Sequence, residues 1–462
     1  MTPPRSVLIV GGGIAGLAAA LRLRDTLGDA ADITVVERAD RLGGKLATGE
    51  FAGSPIETGA ETFLVRRPEA VRLVERVGLT DRLRHPAAVS AGLVVDGRLI
   101  DMPRGTMMGI PADATGVADV VGEAALARIA AEPDTGRPLL GPGEDISVGH
   151  LVRDRLGDEI TDRLVDPLLG GVYAGRADDL SLEVAIPALA KAARTHTRLT
   201  DAVASLLPPP STAAPAPVFG TLEGGLSTLV EAVAEASAAD IRLGLPVRRL
   251  ERWNTGWRAE IGSTRDPYHL TADAVVLALP ARPAARLLTD VDEAAAELVG
   301  ELDYASLGLV SLAIPDADLP ERSGFLVPAT EGMTIKAATF FTKKWPHLDG
   351  GNPLSIMRAS IGRYGDTEAL RRDDGALVDI THRELARVLG DDLPRPVAAS
   401  VRRWGGALPQ YRPGHRERMI RARERLAGQP IALAGAAFDG VGIPACIASG
   451  EAAAERLRED RP

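Results

Sequence analysis

The sequence predicts an α/β protein built on a Rossmann-like domain whose parts are scattered along the chain, and three observations carry that prediction. The apolar run Val7-Leu8-Ile9-Val10 meets the loop Gly11-Gly12-Gly13-Ile14-Ala15-Gly16 without a spacer, as a buried parallel strand feeding a tight turn does. Near the other end, Ile431-Ala432-Leu433-Ala434 runs into the glycine loop Gly435 to Pro444, and a helix is predicted over Ala445 to Leu457. The chain has 462 residues, about two to four domains' worth, so long insertions must lie between the two ends.

The N-terminal unit comes first. After the Gly-x-Gly-x-x-Gly pattern of Gly11, Gly13 and Gly16, the stretch Leu17 to Leu27 is Ala- and Leu-rich and helical, and Ile33-Thr34-Val35-Val36 is a second strand ending at Glu37. The first glycine serves a tight turn, the second lets backbone approach a pyrophosphate, and the third allows close helix–strand packing. The helix N-terminus then turns free N–H groups and the positive dipole end toward the phosphates. Glu37 lies 37 − 16 = 21 residues past the last glycine, where an acid accepts hydrogen bonds from a ribose 2′-OH and disfavours a 2′-phosphate. The stretch Arg38-Ala39-Asp40-Arg41-Leu42-Gly43-Gly44-Lys45 follows. It resembles the signature of FAD-dependent amine oxidases and desaturases and so implies FAD rather than NAD. Gly43-Gly44 lets backbone come near phosphates, and Lys45 can reach one as a point charge.

In the middle of the chain, Pro246 to Leu250 and the alternating stretch through Trp253, Trp257 and Ile261 predict a hairpin that returns to a buried strand at Ala274-Val275-Val276-Leu277-Ala278-Leu279-Pro280. The FAD domain is therefore expected at 1–64, 215–284 and 401–462. A largely helical insertion is expected at 65–214, closed by the linker Pro208 to Pro215, and a substrate domain of mixed α+β character at 285–400. The C-terminal glycine loop and the helix after it suit the flavin's pyrimidine edge, where oriented N–H dipoles stabilise the negative charge of the reduced form.

Composition narrows the function. Hydrophobic residues make up 45% and charged residues 25%, as in ordinary globular proteins. The net charge of −10 argues against nucleic-acid binding through bulk electrostatics. A single cysteine, Cys446, excludes a disulfide framework and a CxxC pair and is read as a packing residue, and the seven His are scattered without metal-ligand spacing. No apolar run reaches the ~18 residues of a transmembrane helix, and a cytoplasmic location is expected. No second Gly-x-Gly-x-x-Gly follows a strand, so oxygen or another carrier, rather than NADPH, is the expected electron acceptor.

Further segments are distinctive: Thr58-Gly59-Ala60-Glu61-Thr62-Phe63-Leu64, Gly170-Gly171-Val172-Tyr173-Ala174-Gly175, Leu222 to Leu229, Gly324 to Pro328, Lys343-Lys344-Trp345-Pro346, Trp404 through Gln410-Tyr411 to His415, and Gly440-Val441-Gly442-Ile443-Pro444. Together they resemble the oxygen-dependent protoporphyrinogen and coproporphyrinogen III oxidase family over nearly the whole chain. The bacterial, coproporphyrin-forming branch is the more similar. Where mitochondrial-type relatives carry a propionate-anchoring Arg, Ala91 or Gly92 stands here before Leu93-Val94-Val95.

The resemblance implies oxidation of a porphyrinogen in heme biosynthesis, with hydride passing to the flavin, oxygen as acceptor and hydrogen peroxide as by-product. It implies FAD contacts at Gly11, Gly12, Gly13, Ile14, Ala15, Gly16, Glu37, Arg38, Gly43, Gly44, Lys45, Gly59, Ala60, Glu61, Thr62, Val247, Trp404, Gly435, Val441, Gly442 and Ile443. Gly171 is implied as the residue at the reacting ring. Tyr173, Lys336 and Arg358 are further substrate candidates, and Lys343, Lys344 and Arg363 are further propionate candidates. A monomer or homodimer in transient contact with other heme-pathway enzymes is expected. The competing activity on the same fold is amine oxidation behind an aromatic cage, for which Tyr304, Tyr364 and Trp404 are available. A non-catalytic, porphyrin-binding flavoprotein is the third alternative.

Overall fold

A computed structural model describes residues 6–87, 89–209, 216–315, 317–348 and 353–459. Five parallel strands form one sheet in the order Asp240–Arg242, Asp32–Val36, Ser6–Val10, Ala274–Leu277 and Ile431–Leu433. Pieces drawn from three distant parts of the chain thus become neighbours. Their apolar runs are buried on both faces, as a parallel sheet between helices requires. The helices Ile14–Leu27 and Ile443–Glu459 pack on each other beside this sheet. A Cβ at Gly450 would strike the Ala15 carbonyl, so the crossing depends on a missing side chain.

The expected hairpin is a three-stranded antiparallel meander, Val247–Trp253, Gly256–Ser263 and Asp266–Ala272, and its last strand was not anticipated. A third layer is a seven-stranded sheet in the order Ala398–Gln410, Asp303–Pro315, Leu354–Ile361, Ile335–Phe340, Gly324–Leu326, Ala91–Val95 and Arg98–Asp101. Two segments lie elsewhere than the division of the sequence expects. The hairpin 91–101, assigned to the helical insertion, joins this sheet through parallel pairing of Ala91–Val95 with Gly324–Leu326. The strand Ala398–Gln410, whose residues from 401 on fall in the expected FAD domain, pairs with Asp303–Pro315. Both follow from long-range backbone hydrogen bonding, which local patterning does not encode. At Gly92, one of the two positions in question, a Cβ would run into Leu99 and the Ile100 carbonyl, so this strand leaves no room there for a side chain.

The rest of that insertion is mostly helical. Within it Asp158 to Tyr173 is one helical run interrupted by a π-helical segment, Thr161–Val165. A buried ion pair, Arg155 to Glu132 at 3.0 Å, ties its helices together, with Glu132 also accepting the Leu199 and Thr200 N–H groups. Residues 210–215 of the expected linker lie outside the described residues.

Candidate active site

The glycine loops meet as the motif reading requires. Gly11 sits at φ +110°, and a Cβ there would strike the Ala278 carbonyl, while one at Gly16 would strike the Gly11 carbonyl. The Gly43 N–H donates to the Gly12 carbonyl at 2.8 Å, which lays the second glycine turn on the first. Arg41, which sequence reasoning quoted but did not select, donates to the carbonyls of Leu42, Gly44 and Leu46 and so locks that turn. Arg38, by contrast, is exposed. The Glu37 carboxylate accepts the N–H groups of Gly12 and Ala39, both at 2.8 Å. A carboxylate has about four acceptor sites, so capacity for a ribose hydroxyl remains. The start of the meander is held here too, because the Leu245 N–H donates to the Glu37 carbonyl, two residues before half-buried Val247.

These residues fit a dinucleotide. The helix that begins at Ile14 after Gly13 has no side-chain cap and no acid in its first turn, and a Cβ on Gly13 would meet nothing within 4 Å. Open space beside uncapped N–H groups is what a phosphate needs. At the far loop a Cβ on Gly440 or Gly442 likewise projects into open space, next to the start of the helix at Ile443. The Gly435 N–H donates to the Ser449 hydroxyl, which fixes the other end of that loop. Among the described residues there is no cluster of three or more His, Cys, Asp or Glu that could hold a metal.

Between the two loops lie Lys45, Gly59 and Trp404. The Ala60 N–H donates to the Lys45 carbonyl, and a Cβ at Gly59 would strike that carbonyl and the Trp404 ring. Trp404 donates its indole N–H to the Thr58 carbonyl at 2.7 Å, with the Arg402 guanidinium 5.0 Å from the ring centroid and Arg41 at 5.9 Å. Burial lowers the Lys45 pKa, and its ammonium stands 5.6 Å from the Tyr304 ring centroid. Tyr304 accepts the Ala281 N–H through its hydroxyl, and the Tyr364 hydroxyl bonds Asp303. Each ring proposed for an amine-oxidase cage is therefore already engaged.

The Glu61 side chain is spent on protein partners. Its carboxylate receives Lys344 and Arg358, both at 2.6 Å, and the Trp345 indole N–H at 3.0 Å. Burial works against ionisation, but the Lys344 and Arg358 charges prevail and hold this carboxyl down at about 2. Arg358 also donates to the Glu57 carbonyl at 2.6 Å, so the network pins the backbone of Glu57 to Gly59. Half-buried Thr62 continues that segment. The side chain of Glu57 is buried as well, bonded to Thr48 and the Leu226 N–H, and burial pushes its carboxyl up to about 7.

The propionate candidates need the same correction. Arg358 and Lys344 neutralise Glu61, Lys343 pairs with Glu321, and Arg363 donates to the carbonyls of Met333 and Val327. Lys336 is buried, with its ammonium on the Gly170 carbonyl at 2.8 Å. All five are engaged by protein groups: Lys336 and Arg358 sit on interior strands of the seven-stranded sheet, Lys343 and Lys344 on the short helix Phe341–Lys344, and Arg363 just past the strand Leu354–Ile361. Tyr173 also packs rather than flanking an open site, its ring edge-on to Tyr411 at 6.0 Å.

Gly171 is exposed in the last helical turn, Asp166–Tyr173, next to Val172, which is 44% exposed. The sheet grips this turn through its carbonyls: Gly170 takes Lys336, Tyr173 takes Gln410 and Ala174 takes the Tyr364 N–H. Among the described residues no protein group takes the Gly171 carbonyl. Tyr411 connects this end to the cofactor end, since its carbonyl accepts the Ser181 N–H and its hydroxyl donates to the Ala436 carbonyl. Cys446 has its thiol pushed up to about 11 by burial, as suits a packing residue.

Known proteins match this arrangement along the whole chain. The family described as flavin containing amine oxidoreductase matches residues 14–458. A coproporphyrinogen III oxidase of Mycobacterium tuberculosis is 40% identical over 451 residues, covering 96% of this chain and 95% of its own. That of Bacillus subtilis is 32% identical over 469 residues, with 97% of each covered. A crystal structure from Exiguobacterium, of a protein provisionally assigned as a protoporphyrinogen oxidase, superposes with a TM-score of 0.86 at 30% identity over 99% of both chains. Cyclohexylamine oxidase from Brevibacterium oxydans shares the fold alone, with a TM-score of 0.71 at 16% identity over 99% of both chains. The two glycine loops joined in one cradle, and the relatives matched from end to end, place the chain in the flavin containing amine oxidoreductase family, among the kin of the coproporphyrinogen III oxidases.

Proposed function

We propose that the protein is an FAD-dependent oxidase that converts coproporphyrinogen III to coproporphyrin III, with oxygen as electron acceptor and hydrogen peroxide as by-product. The observation that carries this reading is the exposed turn at Gly171, a side-chain-free helix end whose carbonyl has no protein partner among the described residues. A flat macrocycle with pyrrole N–H donors can approach bare backbone closely, and the Gly171 carbonyl is an acceptor for such a donor.

When bound, the flavin supplies the two-electron acceptor for hydride leaving a meso carbon. The chain's part is to bind and to position. Gly11 to Gly16 and the Gly43-Gly44 turn receive the phosphates, Glu37 the adenosine ribose, and the Val441 to Ile443 helix start the pyrimidine edge. Trp404, Gly59 and Lys45 supply the wall between them. Gly171 meets the ring as its pyrrole proton is lost. The four propionates of the substrate are kept hydrated at an open mouth, because the nearby cations are spent on protein partners. In this reading the substrate domain takes in 91–101 and 398–410 as well, since both supply strands to the seven-stranded sheet.

Two measurements test this. The purified protein should be yellow and release FAD on denaturation, and recovery of FMN would refute the dinucleotide reading. Steady-state assays of coproporphyrinogen III beside protoporphyrinogen IX should show the larger kcat/KM for the former. An advantage for protoporphyrinogen IX would refute the substrate assignment.

A further inference from the structure

The strand Ile335–Phe340 is interior to its sheet, and its other residues are Ile335, Ala337, Ala338, Thr339 and Phe340. Lys336 interrupts it with a cation that is 6% exposed. Among the described residues no carboxylate lies within ion-pair distance of its ammonium, and the charges that bear on it, Arg363 and Arg358, have its own sign. Burying an unpaired ammonium is costly. A methionine of similar length would fill the same space at no such cost. The compensation that the ammonium finds is the Gly170 carbonyl at 2.8 Å, in the last turn of a helix, where the dipole's negative end favours a cation.

That carbonyl belongs to the peptide joining Gly170 to Gly171. A two-glycine helix end has the least backbone stiffness of any sequence, so its peptide planes are set by what holds them. Gln410 and Tyr364 hold the carbonyls of Tyr173 and Ala174, which lie after Gly171. Lys336 is the sheet's hold on the side before it, on the same Gly170 carbonyl that closes the helix by accepting the Ala174 N–H at 2.9 Å.

We propose that Lys336 is a positioning residue for porphyrinogen oxidation: its ammonium fixes the Gly170–Gly171 peptide and thereby aims the unpartnered Gly171 carbonyl at the substrate. This rests on the function proposed above. It moves Lys336 from the propionates, where the sequence reading put it, to the backbone behind the reacting ring.

The test is Lys336→Met in the full-length flavoprotein. The variant should fold with unchanged flavin content and a thermal midpoint no lower than that of the wild type, since the methionine carries no buried charge. After reduction by dithionite, its flavin should reoxidise in air at the wild-type rate, since that step involves no porphyrinogen. The kcat for coproporphyrinogen III should fall roughly ten- to a hundredfold, the scale of a small misplacement at a reacting centre. Affinity for the product, coproporphyrin III, read by quenching of its fluorescence, should change less than threefold by the same geometric argument. Combining Lys336→Met with Gly171→Ala should cost less than the product of the two single effects, because both act on one peptide. Wild-type turnover in Lys336→Met, independent effects in the double variant, or failure of the single variant to fold as a flavoprotein would each overturn the proposal. If the wild-type protein itself leaves coproporphyrinogen III unoxidised, the functional reading falls instead.

Discussion

Glu61→Gln separates two uses of the same cations. Glu61, Lys344 and Arg358 have side chains 9%, 17% and 10% exposed, so solvent screens their interaction little. The carboxyl ionises at about 2 in the fold against an ordinary value of 4.5. At 1.36 kcal/mol per pH unit that interval is worth about 3 kcal/mol, which is also about the cost of removing one partner from a buried ion pair. The depressed folded-state pKa sets the sign: the contribution is fully present above pH 4.5 and is lost as pH falls toward 2. With an unfolding entropy of about 2.1 cal/mol/K per residue, a chain of this length loses about 3 °C of thermal midpoint for that energy. Glu61→Gln should therefore melt about 3 °C lower at pH 7, by flavin-fluorescence thermal scans, with the gap closing as the buffer is taken below pH 4.5. Its KM for coproporphyrinogen III should not improve, because Lys344 and Arg358 serve the segment Glu57 to Gly59 and not the substrate. An unchanged midpoint at pH 7 would refute the ion-pair reasoning. A tightened KM would return these cations to the propionates.

Gly171→Val should slow porphyrinogen oxidation far more than it lowers flavin content, since its Cβ meets Leu326 at a tolerable 3.4 Å while the branched chain fills the approach to the ring; normal kinetics would reduce Gly171 to a helix residue. Glu37→Ala removes two charge-assisted bonds to the loop, from Gly12 and Ala39, as well as the ribose acceptor, each worth roughly 1.5–3 kcal/mol, and should weaken FAD retention by titration. Unchanged affinity would show that another group holds the ribose. Glu57 has a raised folded-state pKa of about 7, so the wild-type protein pays for its charge fully above pH 7 and not below 4.5. Glu57→Gln should gain stability relative to wild type on going from pH 5 to pH 8 in denaturant melts, and a parallel pH dependence in the two proteins would contradict the assignment.

Local sequence was enough for whatever local backbone chemistry dictates. Val7–Val10, Ala274–Leu277 and Ile431–Leu433 are apolar throughout and Ile33–Val36 apolar but for Thr34, short runs that point to buried strands, and all four join one parallel sheet. Gly11, Gly16 and Gly43 were legible because each occupies a place where a Cβ meets backbone. Gly171 stood out by resemblance, and its free carbonyl is visible only in the fold.

Tertiary structure decided the fate of the charges. A lysine or arginine in sequence carries no record of its partner. Lys344 and Arg358 look like anion receptors until Glu61, 283 and 297 residues away, is seen between them. Lys336 had one available signal, a lone cation in an otherwise apolar stretch, Ile335 to Phe340, and a strand period of two does mark it as inward. Its target, Gly170, lies 166 residues off and offers only a carbonyl. The same holds for residues 91–101 and 398–410, whose patterns say strand but not which sheet. Strand propensity is a property of a segment, whereas a sheet edge or a buried ion pair exists only once distant segments are packed, and the placing of charge around the Gly171 turn belongs to that second kind.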